Sequence, residues 1–162
     1  MLKKVSQAKI LPETTAMTND RYIVVVGCGR LGSYLANSLS RAGNSVVMID
    51  REEANFNDLS PDFSGFKVNG DATQVAVLKE AKLNKADVII ATTHEDNVNL
   101  MVAQVAQKIF NVPHVLARVF DPRREEVYAQ LKVETISPTT LAAEMFLRAV
   151  AKDSRAKKEE KQ

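Results

Sequence analysis

The sequence predicts an α/β fold of the Rossmann type: a doubly wound parallel sheet in the strand order 3-2-1-4-5-6, flanked by helices and closed by a C-terminal crossover helix. Three observations predict it. From Arg21 onward, short β-branched runs alternate with segments of helical period. Most of these runs are continuously apolar, the pattern of strands covered on both faces. A glycine-rich loop, Gly27-Cys28-Gly29-Arg30-Leu31-Gly32, stands between the first run and the first helical segment.

The strands are expected at Tyr22 to Val26, Ser45 to Asp50, Gly65 to Val68, Asp87 to Ala91, His114 to Val119 and Val133 to Ile136. Leu31, Leu35 and Leu39 recur at helical spacing, and Val98, Met101, Val102, Val105 and Ile109 do so again, so both segments are expected as helices packed on the sheet. Asp121-Pro122 has the form of an N-cap followed by proline in the first turn, opening a helix to about Leu131, and Ser137-Pro138 repeats the signal for a last helix. Right-handed crossovers between six such strands give the stated order. The expected organisation is an N-terminal tail over residues 1–20, a nucleotide-binding domain over 21–137, and a crossover helix with a charged tail over 138–162.

A chain of 162 residues suits one domain with a real core. Its 45% hydrophobic and 26% charged residues are those of an ordinary globular protein. A net charge of +2, spread along the chain, implies no polyanion-binding field and argues against a nucleic-acid partner. The single cysteine, Cys28, can form no internal disulfide and has no neighbour to complete a metal site, which suits a reducing compartment. No apolar run approaches the roughly 20 residues of a membrane span, and the first twenty residues lack the apolar stretch of a secretory signal. A cytoplasmic location is expected.

In the glycine loop, Gly27 permits a tight turn, Gly29 lets the backbone approach a phosphate, and Gly32 allows close helix–strand packing. Unpaired amides and the positive end of the helix dipole favour an anion there. Asp50 ends the second strand eighteen residues beyond Gly32, near the spacing at which a carboxylate meets a ribose 2′-hydroxyl and repels a 2′-phosphate. Arg30 either touches a phosphate or faces solvent. Arg51 either stacks on adenine or answers a 2′-phosphate, which would weaken the preference against NADP.

These residues resemble the N-terminal nucleotide-binding domain of RCK proteins, regulators of potassium conductance, of the Trk and Ktr uptake type. The resemblance extends through Ile49-Asp50, Asn69-Gly70-Asp71-Ala72-Thr73, Ala86 to Thr92, Asp96-Asn97, Ala117-Arg118-Val119 and the run from Val133 into Ser137-Pro138, about residues 21 to 140. It implies an adenine nucleotide as ligand, NAD(H) or ATP/ADP. By position, Asp71 and Ala72 would lie along the adenine, Thr92 near the phosphate or ribose edge, and Arg118 would reach phosphates from the end of the fifth strand; with Gly27, Gly29, Arg30, Leu31, Gly32, Asp50, Arg51 and Thr93 they make up the expected nucleotide-binding set. For Asp71, a helix N-cap before Thr73 is an alternative compatible with ligand contact. The resemblance further implies a regulatory subunit that forms dimers and a ring and docks on a membrane potassium channel or transporter. The chain ends about twenty-five residues past Ser137, so the smaller second domain of many relatives, and any cyclic-dinucleotide sensing with it, is not expected.

In the last helical segment, Ala142, Met145, Phe146, Ala149 and Val150 form a stripe that Leu141 and Leu147 widen. One domain face would not cover it, so an interface with a neighbouring subunit is expected, against the plainer reading of a wide core helix. The other functional class is an NAD-dependent oxidoreductase or a detached dehydrogenase cofactor domain, which would use the same fold. Tyr128 and Lys132 have Tyr-x-x-x-Lys spacing, but no Ser occurs between Ser64 and Ser137 to complete that catalytic set. His94 and His114 have no evident acid relay, and His94 is expected in a loop near the ligand. No catalytic or metal-binding residue is assigned.

Overall fold

The computed structural model describes residues 20–159, with side chains described to residue 151; the remainder of the expected N-terminal and charged tails lies outside the described residues. A six-stranded parallel sheet in the order β3-β2-β1-β4-β5-β6 forms the centre. Its strands are β1 (Tyr22–Val26), β2 (Ser45–Asp50), β3 (Phe66–Asn69), β4 (Val88–Ala91), β5 (His114–Arg118) and β6 (Glu134–Ile136). The helices are α1 (Arg30–Arg41), α2 (Val75–Glu80), α3 (Asp96–Lys108), α4 (Glu125–Gln130) and α5 (Pro138–Glu159). The expected strand order is therefore the observed one.

Strand ends shift by a residue where another bond takes over. Asp87 sits below β4, its carboxylate accepting from the Tyr22 amide at 2.8 Å. The Val133 amide turns back to the Tyr128 carbonyl at the end of α4. Val24, the middle of β1, pairs with Val47 on one side and Ile89 on the other. All three are buried, forming the apolar centre that helices cover on both faces.

The helices depart further from expectation. In α3 the buried face is Asn99, Val102, Ala103 and Ala106, while Met101 and Ile109 are exposed. Val102 is shared with the expected stripe, and Val98 and Val105 are partly buried against the core, so only the Met101 and Ile109 edge faces solvent while Asn99 and two alanines lie close on the sheet. The helix expected from Asp121 to Leu131 is a 3-10 turn over Pro122–Arg124 followed by the short α4, and Asp121 caps it by accepting from the Arg123 amide. The short helix α2, with β-branched Val75 and Val77 in its first turn, has no periodicity long enough to read from sequence.

The last helix is tethered to the domain at its start. The Thr140 hydroxyl meets Glu125 Oε1 at 3.0 Å, and the Leu141 amide donates to the Ser137 carbonyl. Leu141, Met145, Phe146, Leu147 and Val150 are exposed, Phe146 by 75%. The stripe is thus not a core face of this domain. Among the described residues no helix is long and apolar enough to cross a membrane.

Candidate functional site

At the C-terminal ends of β1, β2 and β4, where strand order reverses, lies a cleft of about 820 Å³. That volume suits a nucleotide, and the switch point is where open α/β sheets bind ligands. All the expected site residues line it except Gly32.

Its floor is the glycine loop. Gly27 has φ +95° and its amide donates to the Ile49 carbonyl at 2.8 Å, turning the chain out of β1. At Gly32 an added Cβ would stand 1.8 Å from the Gly27 carbonyl oxygen, so this glycine serves packing and lies beneath the cleft. Gly29 differs from both. Its φ of −79° and ψ of −171° are open to any residue, and a Cβ there would meet no protein atom within 4 Å. Protein packing supplies no reason for a glycine at this position. It is the N-cap of α1 and no side chain caps that helix, so the first-turn amides face the cleft. A phosphate fits both features. Arg30, exposed, and half-buried Leu31 flank this opening.

Asp50 is buried and accepts three hydrogen bonds from the protein. Its Oδ2 accepts from the Cys28 amide at 2.6 Å, while Oδ1 accepts from the Glu52 amide at 2.8 Å and Asn55 Nδ2 at 2.9 Å. These bonds fix the carboxylate at the end of β2 against the loop. An ionised carboxylate has about four lone-pair sites, which leaves room for a ribose hydroxyl. Beside it, burial and the Asp50 and Asp58 carboxylates push the Cys28 thiol up to about 11, so this cysteine is inert at neutral pH.

Arg51 reaches across the mouth of the cleft to Glu95, with Nη1 to Oε1 at 3.1 Å. Asp71 is exposed, and its Oδ1 accepts from the Thr73 amide and hydroxyl, which holds the carboxyl below its usual range. These bonds close a turn, and α2 begins only at Val75, so Asp71 is not the cap of that helix. Ala72 is buried beside it.

The Thr92 hydroxyl lies within reach of the Val26 and Gly27 carbonyls, at 3.0 and 3.1 Å, binding the end of β4 to the glycine loop. Thr93 is held by Asn99, whose Oδ1 accepts from its amide and hydroxyl and whose Nδ2 donates to its carbonyl. The same Nδ2 reaches the Arg118 carbonyl at 3.1 Å. Asn99 is fully buried and joins the ends of β4 and β5, a role with no signal in an apolar helical pattern. Arg118 lines the cleft with its guanidinium 5.4 Å from the Phe120 ring centroid and a buried Nε that has no partner. An orphaned cationic donor of this kind fits an anion in the cleft.

Sequence reasoning did not find Asn55, Glu95, Asn99 or Phe120. His94 lines the cleft, as its loop position suggested, and is 75% exposed. Tyr128 and Lys132 do not form a catalytic pair. The Tyr128 hydroxyl is buried and donates to the Asp96 carbonyl, while Lys132 lies beyond the end of α4 with φ +55°. Burial, seconded by Asp96, pushes the Tyr128 phenol up to about 12, away from acid–base use. Among the described residues no cluster of three or more His, Cys, Asp or Glu could hold a metal ion.

Comparison with known proteins agrees with this geometry. The family model of the TrkA-N domain matches residues 23–138. The Trk system potassium uptake protein TrkA of Streptomyces coelicolor is 39% identical over 127 residues, 78% of this chain and 57% of that protein. A TrkA homologue of Methanothermobacter thermautotrophicus is 32% identical over 123 residues, 75% of this chain and 56% of its own. The chain therefore spans little more than half the length of these relatives. Among solved structures, GsuK bound to ADP superposes with a TM-score of 0.67 at 26% identity, over 81% of this chain and 34% of that one. The GsuK channel bound to NAD superposes with a TM-score of 0.71 at 24% identity, over 85% of this chain and 24% of that one. With the fold, the glycine loop and the family match in agreement, the chain belongs to the TrkA-N domain family.

Proposed function

We propose that this chain is a nucleotide-binding regulatory module of a potassium uptake system, with no catalytic chemistry of its own. The observation that carries the reading is Gly29: a glycine with no packing reason, at the uncapped start of α1, opening on a cleft sized for a nucleotide. In this reading the phosphates lie on Gly29, Arg30, Leu31 and the first-turn amides, with Arg118 as counter-cation. The ribose meets Asp50, and the adenine lies along Asp71 and Ala72. Thr92 and Thr93 shape the wall, Thr92 by holding the loop and Thr93 through Asn99.

ADP and NAD, the ligands of the GsuK structures, support an adenine nucleotide, and the names of the relatives support potassium transport. The exposed face of α5 supports assembly with further copies of the chain. A module of this kind works at the cytoplasmic side of the membrane through its transporter partner. Nucleotides that differ in charge or phosphate length would favour different angles between paired domains and so bias the transporter. Only a difference in affinity between the two arrangements can do so.

A thermal-shift titration with NADH, NAD, NADPH, ATP and ADP tests the site. Stabilisation by at least one of them is expected, with no hydride transfer to alcohols or carbonyls. No stabilisation by any would overturn the site, and sustained turnover would move the chain to the oxidoreductases. The regulatory arm is tested by potassium flux through a reconstituted Trk-type transporter, which should respond to nucleotide only when this chain is present.

A further inference from the structure

Three arginines line the cleft. Arg30 opens α1 and Arg118 ends β5, so Arg51 alone stands at the end of β2 beside Asp50. That is where a ribose 2′ substituent would lie if Asp50 receives the sugar, and this inference rests on that reading. A nucleotide with a 2′-phosphate would bring a second anion against the Asp50 carboxylate. A free guanidinium is the group best suited to answer it, because its planar fork matches phosphate oxygens.

Arg51 is not free. Its Nη1 lies 3.1 Å from Glu95 Oε1. Glu95 stands just before α3, past the end of β4, on the far side of β1 and its glycine loop. The ion pair thus spans the cleft and engages the guanidinium with a carboxylate from the β4 side. The Asp71 carboxyl also feels the Arg51 charge, and Glu52 lines the same wall. Carboxylates therefore outnumber the single cation at this end.

We infer that Glu95 sets the 2′ specificity of the site: by holding Arg51 across the cleft it withholds that cation from a 2′-phosphate, so the chain selects nucleotides with a free 2′-hydroxyl. Asp50 repels the extra phosphate, and Glu95 removes the one neighbour that could compensate. Both partners are about half exposed, at 56% and 44%, so water and salt screen the pair. An exposed pair of this kind shifts a binding ratio by about fivefold at most.

The test titrates the full chain with NADH and NADPH at low ionic strength, following nicotinamide fluorescence. It compares the wild type, Glu95→Gln, Arg51→Gln and the double variant. The quantity read is the ratio of the NADPH to the NADH dissociation constant. In Glu95→Gln the ratio should fall by about twofold to fivefold, and the gain should shrink in high salt. In Arg51→Gln the ratio should rise, since the cation at the β2 end is lost while Asp50 and Glu95 remain. The double variant should return to near the wild-type ratio, because the gain requires the freed guanidinium. A ratio unmoved by Glu95→Gln overturns the inference, as does an equal gain in the double variant, which would report only lost negative charge. A wild type that binds neither NADH nor ADP fails at the nucleotide site itself and takes this inference with it, whereas binding with an unmoved ratio removes the inference alone.

Discussion

Replacing Gly29 with alanine should separate binding from stability, because the two requirements on this residue have been decoupled by the fold. Its backbone angles, φ −79° and ψ −171°, carry no penalty for a side chain, and the new methyl would find no protein atom within 4 Å. Alanine is a poorer N-cap than glycine by up to about 1 kcal/mol. The unfolded chain loses freedom on the same substitution, which returns about 0.4–1 kcal/mol. The net change in stability is therefore within about 0.5 kcal/mol, or about 2 °C in the midpoint of a domain this size. Ligand binding should behave otherwise. The methyl occupies the space a phosphate needs to reach the α1 amides, and losing two charge-assisted hydrogen bonds costs about 3 kcal/mol or more. That is a loss of about 100-fold in affinity. Differential scanning calorimetry of the free protein and isothermal titration with ADP and NADH read the two quantities. Gly32→Ala is the contrasting variant: its methyl would lie 1.8 Å from the Gly27 carbonyl oxygen, so it should destabilise the free protein by about 1–3 kcal/mol or more. Unchanged affinity in Gly29→Ala, or a fall of about 10 °C in its free midpoint, would refute the assignment of this glycine to a ligand.

Three further outcomes follow from the packing around the cleft. Asn99→Ala strips partners from the Thr93 amide and carbonyl and from the Arg118 carbonyl, and should cost about 2–4 kcal/mol in urea denaturation; a loss below about 0.5 kcal/mol would mean these bonds do not hold the loops. Cys28 should react slowly with a thiol reagent at pH 8 until the protein is unfolded. Since its folded value is raised to about 11, its contribution to stability is complete below the ordinary thiol range and declines as pH rises through that value, so Cys28→Ala should show a shallower alkaline decline. Sedimentation at micromolar concentration should find an oligomer that Phe146→Glu dissociates without lowering the midpoint of the domain, because Phe146 is exposed in the single chain; a wild type that is strictly monomeric would overturn the role given to α5.

Much of the site was legible because its residues are close in sequence. The turn at Gly27, the opening at Gly29 and the packing at Gly32 are properties of one six-residue loop, and Asp50 is fixed by the length of one crossover. The strand order followed from apolar runs whose burial on both faces leaves few arrangements. The face of α3 was legible in part: of the stripe Val98, Met101, Val102, Val105 and Ile109, Val102 is buried and Val98 and Val105 pack against the core, but Met101 and Ile109 are exposed, and the hydrophobic pattern gave no sign that Asn99 and two alanines complete the buried face. Asn99 itself reads as an interruption of that pattern. Its value comes from Thr93 and Arg118, which meet it only after β4 and β5 are paired.

What the chain alone determined is therefore the frame: six parallel strands, a helix whose N-terminus faces the cleft, and a carboxylate beside it. These depend on period, on glycine and on short spacings, all of them local. Which charges meet across the cleft was decided only by tertiary structure. Arg51 and Glu95 are forty-four residues apart in the sequence and 3.1 Å apart in the fold, because β1 lies between the strands that end beside them. The unpaired Arg118 Nε and the exposed face of α5 belong to the same class. Burial and partnership are properties of the assembled chain, and no window of sequence contains both partners.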